Sequence, residues 1–164
     1  MDDILCYMIT SLDKTGELVR LISSLNKYFH NKISNMISKA ATKNITVSYE
    51  DHILTYTTIL NGIKHGKMTL ETKKGNLCSR GYYHLGRLHE TLFSITHSAV
   101  YIINYFNGKL HGKYTINYKD HSVDIHYTHG VINGSVRWEN VTWLGIKVFQ
   151  ATYVNGISEG AETC

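Results

Sequence analysis

The chain has 164 residues, 43% hydrophobic and 18% charged, with a formal net charge of +4; these values exclude a disordered chain and allow one domain or two small ones. Because the basic residues are dispersed along the sequence, they disfavour a nucleic-acid binder, whose charge usually forms a stripe. The three cysteines, Cys6, Cys78 and Cys164, are widely spaced and predict neither a disulfide framework nor a structural metal.

The sequence predicts no secretory signal and no membrane span. It starts with the acidic stretch "MDDIL", and no long apolar run follows it. The longest wholly apolar run, residues 99–103, is far shorter than a transmembrane helix. We therefore expect a protein without a targeting segment that works in a reducing compartment and not in a membrane.

The first 43 residues have the spacing of helices. Apolar residues recur every three or four positions in three stripes, which predicts three short amphipathic helices. Their apolar side either packs on the structure that follows, as a cap, or binds a partner. The residues that we assign to partner binding are Ile4, Leu5, Met8, Ile9, Leu18, Leu21, Leu25 and Phe29.

From residue 44 onward the spacing is that of strands. Runs such as "NITVSY", "ILTYTTIL" and "KVFQATY" are rich in Thr, Tyr, Val and Ile and are bounded by Gly and Asn. The predicted fold class is therefore α+β. Three short N-terminal helices, residues 1–43, precede an elongated antiparallel β-sheet of hairpin repeats, residues 44–164.

A unit of the form Tyr-x-x-Gly-x-x-x-Gly recurs about five times, with turn glycines at intervals of 24, 22, 22 and 26 residues. The first glycine supplies the positive φ of a tight hairpin turn. The second lies in the returning strand, where we expect a tyrosine ring to cover the bare backbone. The residues with structural roles in the repeats are Tyr83, Gly86, Tyr105, Gly108, Gly112, Tyr127, Gly130, Gly134, Tyr153 and Gly156.

The histidines and aromatic residues allow sharper interpretations. His65, His89 and His111 each lie three residues after a turn glycine. They form either a metal-binding ladder or a solvent-exposed position, and we favour the second because no zinc-ligand spacing accompanies them. The tyrosines, with Trp138 and Trp143, could stack nucleic-acid bases, but those locked to the repeat period fit a core better. No catalytic motif is present, which predicts a non-enzymatic protein without cofactor or metal.

The repeat unit resembles the membrane occupation and recognition nexus (MORN) repeat, in the variant of the YwqK-type antitoxin family. The resemblance covers about residues 56–164, and its best copies are "YFNGKLHGKYTINY" and "YTHGVINGSVRW". In the second repeat Glu90 replaces the second glycine. The resemblance implies an extended or curled single-layer antiparallel sheet, and it implies no single function.

The N-terminal segment resembles an F-box, although the usual Leu-Pro before its first helix is missing. In that family the segment contacts the Skp-type adaptor of cullin-RING ubiquitin ligases. F-box-like helices followed by such repeats occur in giant DNA viruses, and the absence of proline fits an AT-rich genome. The matching positions are Asp3, Ile4, Leu5, Ile9, Leu12, Leu18, Leu21, Leu25, Lys27, Phe29 and His30.

These resemblances imply a protein–protein interaction protein. The first hypothesis is a viral F-box-like adaptor that binds a Skp-type subunit and holds a target on its repeat sheet, in the host cytoplasm or virus factory. The alternative is a structural virion component, minor capsid or tegument-like, that contacts other viral structural proteins. A third hypothesis is an antitoxin-like protein that covers a partner's active surface.

Overall fold

Eleven antiparallel strands and one continuous helix make up the part of the chain that this computed structural model describes. The described residues are 17, 20, 21, 24, 27–39, 42–59 and 62–163. Helix α1 spans Lys27–Lys39. The strands are β1 (Lys43–Tyr49), β2 (His52–Ile59), β3 (Ile63–Thr72), β4 (Leu77–His84), β5 (Arg87–Ile95), β6 (Ala99–Phe106), β7 (Lys109–Tyr118), β8 (His121–Thr128), β9 (Val131–Thr142), β10 (Gly145–Val154) and β11 (Ile157–Thr163).

The predicted α+β class, with three N-terminal helices, is wrong. The described chain is almost entirely antiparallel sheet, and the first predicted helix lies outside the described residues. An α+β class needs a helical layer that shares the core with the sheet. Here α1 contributes one buried hydrophobic side chain, Ile33, whereas the sheet and its turns carry the others: Ile59, Ile63, Leu85, Ala99 and Ala151.

The sheet is a meander in which every strand pairs with its neighbours in sequence. The spatial order runs from β1 to β11 without a crossover, and all ten pairings are antiparallel. Short connections therefore alternate between two edges. We call the edge that carries Gly62, Gly86, Gly108, Gly130 and Gly156 the glycine edge, and the other the opposite edge.

Four turns at the glycine edge have the geometry that their sequences predict. Each has two central residues with positive φ, as a type I′ hairpin turn requires, and the twist of that turn matches the twist of the flanking strands. The glycine takes the second position every time. The turns are Leu85–Gly86 (φ 47° and 80°), Asn107–Gly108 (50° and 80°), His129–Gly130 (52° and 93°) and Asn155–Gly156 (51° and 84°).

Each of these turns is also tied to the preceding repeat by a backbone hydrogen bond. The glycine N–H donates to the carbonyl of the residue two positions after the previous turn glycine. The bond therefore links successive hairpins at the same place in every repeat. The donor–acceptor pairs are Gly86–Lys64 (2.7 Å), Gly108–Leu88 (2.8 Å), Gly130–Leu110 (2.7 Å) and Gly156–Ile132 (2.8 Å).

The second glycine of the repeat is required by the backbone and not by a covering ring. Gly66, Gly112 and Gly134 have φ values of 100°, 84° and 116°, and the strand register shifts at this point of each hairpin. They therefore lie in β-bulges. The expected tyrosine cover is absent, because a Cβ at these glycines would first meet the side chains of Thr57, Asn104 and His126. Glu90 holds the same position with φ 61°.

The repeat tyrosines lie on one face of the sheet and are half-buried. Tyr83, Tyr105 and Tyr127 each stand opposite a leucine or isoleucine of the returning strand. Tyr153 stands opposite Ser158. Burial raises the pKa of Tyr83, and burial followed by the nearby Tyr83 raises the pKa of Tyr105. These side chains line a sheet face that their cross-strand neighbours shield in part.

Candidate partner-binding surfaces

The N-terminal residues predicted to bind a partner are described only in part. Leu21 is exposed, with 62% of its surface accessible, and Phe29 lies within α1. The other six lie outside the described residues: Ile4, Leu5, Met8, Ile9, Leu18 and Leu25. The exposed side chain of Leu21 is therefore the described apolar contact that this segment offers.

Helical residues near Leu21 contact the glycine edge. The Arg20 guanidinium donates a hydrogen bond to the carbonyl of Leu85. The Glu17 carboxylate pairs with Arg87 at 3.1 Å. Leu85, in the turn of the second repeat, is only 4% exposed. These contacts place the end of the N-terminal segment against the turn of the second repeat.

A row of aromatic rings follows the glycine edge across several repeats. It consists of five histidines and one phenylalanine, and we call it the histidine row. Neighbouring rings are tilted against each other, so the row is continuous. The centroid distances are 5.0 Å for His65–His84, 5.4 Å for His84–His89, 5.2 Å for His89–Phe106, 5.7 Å for Phe106–His111 and 4.9 Å for His111–His129.

Three of these histidines connect one repeat to the next through their side chains. Their Nδ1 atoms accept hydrogen bonds from backbone N–H groups of the following turn, and the Asn133 side chain does the same in the fourth repeat. This position is thus half-buried and needs an acceptor, whereas we expected it to be exposed. The donor–acceptor pairs, all at 3.4 Å, are Leu85–His65, Asn107–His89, His129–His111 and Asn155–Asn133.

The hydrogen bonds also argue against a metal ladder. A neutral imidazole whose Nδ1 accepts a hydrogen bond carries its proton on Nε2, so neither nitrogen of His65, His89 or His111 offers a free lone pair. Among the described residues, no group of three or more His, Cys, Asp or Glu side chains could hold a metal ion. The row is therefore best explained as a structural seam between hairpins.

The histidine row makes stability depend on pH. Burial lowers the pKa of His65 below 6.5. For His84, burial and then the charges of His65, His89 and Arg20 lower the pKa, while Glu90 opposes them. The folded protein therefore favours neutral rings, and the free energy of unfolding is fully retained above pH 6.5 and falls as the pH drops through the lower folded values. We expect the thermal midpoint to fall by a few degrees between about pH 7.5 and about pH 5.

The control for this pH effect is His84→Phe, because Phe106 holds the equivalent position in the third repeat. This variant should lose less stability than the parent over the same pH range. The carboxyl groups of Asp120 and Asp124 do not interfere, because their pKa values are held below 3.8. An identical pH dependence in the variant and the parent would contradict the assignment to His84.

The strongest exposed apolar surface is the turn between β9 and β10, which we call the apolar tip. Trp143 is 92% exposed and Leu144 76%, and the flanking Val141 and Ile146 are 57% and 62% exposed. Cross-strand pairing of Val141 with Ile146 and of Thr142 with Gly145 extends the hairpin to the turn itself. The tip is therefore an ordered hairpin end that presents four large apolar side chains to solvent.

The apolar tip differs from the other turns at the opposite edge. The turns at residues 73–76, 96–98 and 119–120 consist of polar residues and glycine, with alanine and apolar side chains excluded. Exposed apolar clusters of this kind commonly mark interaction sites. Sequence reasoning noted Trp143 only as a base-stacking candidate. The available clue was a Trp-Leu pair where a tight turn usually has Gly, Asn or Asp.

Comparison with known proteins adds no relative to this description. No protein-family model matches the chain, and no curated protein matches it significantly. The resemblances to MORN repeats and to the F-box therefore rest on the residues quoted above. In the part of the chain described above, no helix is both long enough and apolar enough to cross a membrane.

Proposed function

We propose that this chain is a non-enzymatic interaction protein whose repeat sheet holds a protein partner at the apolar tip. The observation that carries the proposal is the 92% exposure of Trp143 beside three other exposed apolar side chains. Tryptophan is the residue type most enriched among side chains that dominate binding energy at protein interfaces. An ordered hairpin presents these side chains with little loss of backbone entropy on binding.

The proposal extends to an adaptor role, which the F-box-like resemblance of the N-terminal segment supports. In this role the helices bind a Skp-type subunit, and the sheet holds the target for ubiquitylation in the host cytoplasm or virus factory. The two functions use different ends of the sequence. They can therefore be tested with separate substitutions.

Adaptor binding is tested by co-purifying the full chain with a purified Skp-type subunit. We expect a complex with the parent protein and its loss in Leu5→Asp and Leu18→Asp. Circular dichroism of each variant checks that the sheet is retained. The adaptor role is contradicted if the parent protein does not bind or if both variants bind as well as it does.

Target binding is tested with the double variant Trp143→Ser and Leu144→Ser. Quantitative mass spectrometry of proteins recovered with the tagged chain should show about a tenfold or larger loss of its targets. The matched control is Lys119→Ser with Asp120→Ser, in the neighbouring polar turn, which should retain them. If purified virus particles contain the protein in stoichiometric amounts, the structural virion role replaces the adaptor role.

A further inference from the structure

The polar face of the sheet contains one fully satisfied carboxylate site in the third repeat. The Asp124 carboxylate accepts hydrogen bonds from Thr115 Oγ1 at 2.6 Å and from Lys113 Nζ at 3.0 Å. Burial alone would raise the pKa of Asp124, but the bonds from Thr115 and Lys113 outweigh it and hold the pKa below its ordinary value. A lysine and a threonine at these positions therefore make an effective carboxylate site.

The first repeat has the same two donors without the carboxylate. Lys67 and Lys113 both lie five residues after a turn glycine. Thr69 pairs with Arg80 across β3 and β4 in the register in which Thr115 pairs with Asp124 across β7 and β8. The strand position that supplies an acid in one repeat thus supplies a guanidinium in the other.

The surroundings of Arg80 form a hollow of about 640 Å³ on this face. Its aromatic walls include Tyr82 and Phe93, and the Arg80 guanidinium lies 5.2 Å from the centre of the Phe93 ring. Glu90 lies on the rim, but neither Lys67 nor Arg80 forms an ion pair with any acidic side chain that the structure describes. Two cations and a threonine hydroxyl thus converge on a hollow of ligand size.

We propose that this hollow binds an acidic segment of a partner protein, with one of its carboxylates in the place that the Asp124 carboxylate takes in the third repeat. The inference deepens the proposed function and rests on the use of the sheet as a protein-binding surface. A second contact here would fix the orientation of a partner that is anchored at the apolar tip. Charge-assisted bonds from lysine and arginine are the strongest that a carboxylate can accept from side chains.

The rest of the polar face favours a peptide over a nucleic acid. Lys113 pairs with Asp124 at 3.0 Å, and Arg137 pairs with Glu139 at 2.6 Å. These internal pairs interrupt any continuous basic stripe, which a phosphate backbone would need. The hollow therefore offers a local site for one or two acidic side chains.

The test is binding of a fluorescein-labelled hexaglutamate peptide to the full chain, measured by fluorescence anisotropy at low salt. Arg80→Asp supplies the missing carboxylate from within the sheet, so it should close the site and weaken binding about tenfold or more. Lys74→Asp makes the same charge change in the polar turn at residues 73–76 and should weaken binding less than about twofold. Equal losses in the two variants, or no binding by the parent protein, would overturn the proposal.

A converse variant tests the equivalence of the two repeats. Asp124→Arg recreates the arrangement of Lys67, Thr69 and Arg80 around Lys113 and Thr115, so the peptide stoichiometry should rise from one to two. An unchanged stoichiometry in a variant with parental circular dichroism would overturn the proposed carboxylate geometry. Tighter binding of a polyuridine strand than of hexaglutamate would overturn the assignment to protein. None of these outcomes affects the complex with a Skp-type subunit, so the two proposals can fail separately.

Discussion

Replacing Ile63 with alanine is expected to lower the free energy of unfolding by about 2–4 kcal/mol. Ile63 is the first residue after the turn glycine of the first repeat and is only 2% exposed. Removing three of its carbons loses their transfer free energy and leaves a cavity that the surrounding side chains fill only in part. Urea unfolding followed by circular dichroism measures the loss.

The matched control is Ile157→Ala, at the same position of the last repeat. Ile157 is 71% exposed, so its truncation should change the free energy of unfolding by less than about 0.5 kcal/mol. The comparison separates the effect of burial from the β propensity of isoleucine, which both sites share. Equal losses at the two sites would mean that burial at the first repeat contributes nothing.

Replacing Gly134 with alanine is expected to cost about 2–3 kcal/mol. Its φ of 116° lies outside the region that residues with a side chain normally occupy. The added Cβ would also lie 3.1 Å from the Cβ of His126, which is closer than ordinary contact. The strand must therefore rearrange or accept both strains, and thermal unfolding should show a lower midpoint.

Gly112→Ala is the comparison for Gly134→Ala in the neighbouring repeat. Gly112 has a φ of 84°, and its nearest contact, the Cβ of Asn104, is 3.6 Å away. The backbone strain remains but the steric conflict does not, so we expect a smaller loss of about 1–2 kcal/mol. If Gly112→Ala costs as much as Gly134→Ala, the contact with His126 is not the source of the additional loss.

The sequence was informative where the chemistry is local. Asn107–Gly108 and Asn155–Gly156 occupy turns in which both residues have positive φ, and few residue pairs tolerate that conformation. The spacing of such pairs therefore locates the hairpins. The helical spacing of the first 43 residues misled the fold class, because an amphipathic stripe shows that a segment has an apolar side but not that it forms a layer of the core.

The features that depend on register could not be predicted from the sequence. The Nδ1 atoms of His65 and His89 accept hydrogen bonds only because the next turn stands directly beside them. In the same way, the pairing of Thr69 with Arg80 becomes visible only when the bulges of the hairpins have been placed. A β-bulge shifts the pairing beyond it, and its presence is decided by backbone conformations that residue types only suggest.

The backbone bond from each turn glycine to the preceding repeat has a consequence for how such a chain can change in length. Gly108 donates to the repeat before it, while Leu110, two residues later, accepts from Gly130 of the repeat after it. Every interior hairpin thus presents one donor and one acceptor that match those of any other copy. A tandem duplication of one 22-residue unit, the interval between Gly108 and Gly130, would insert a hairpin without leaving either neighbour an unpaired group. The sheet can therefore be lengthened by copying what it already contains.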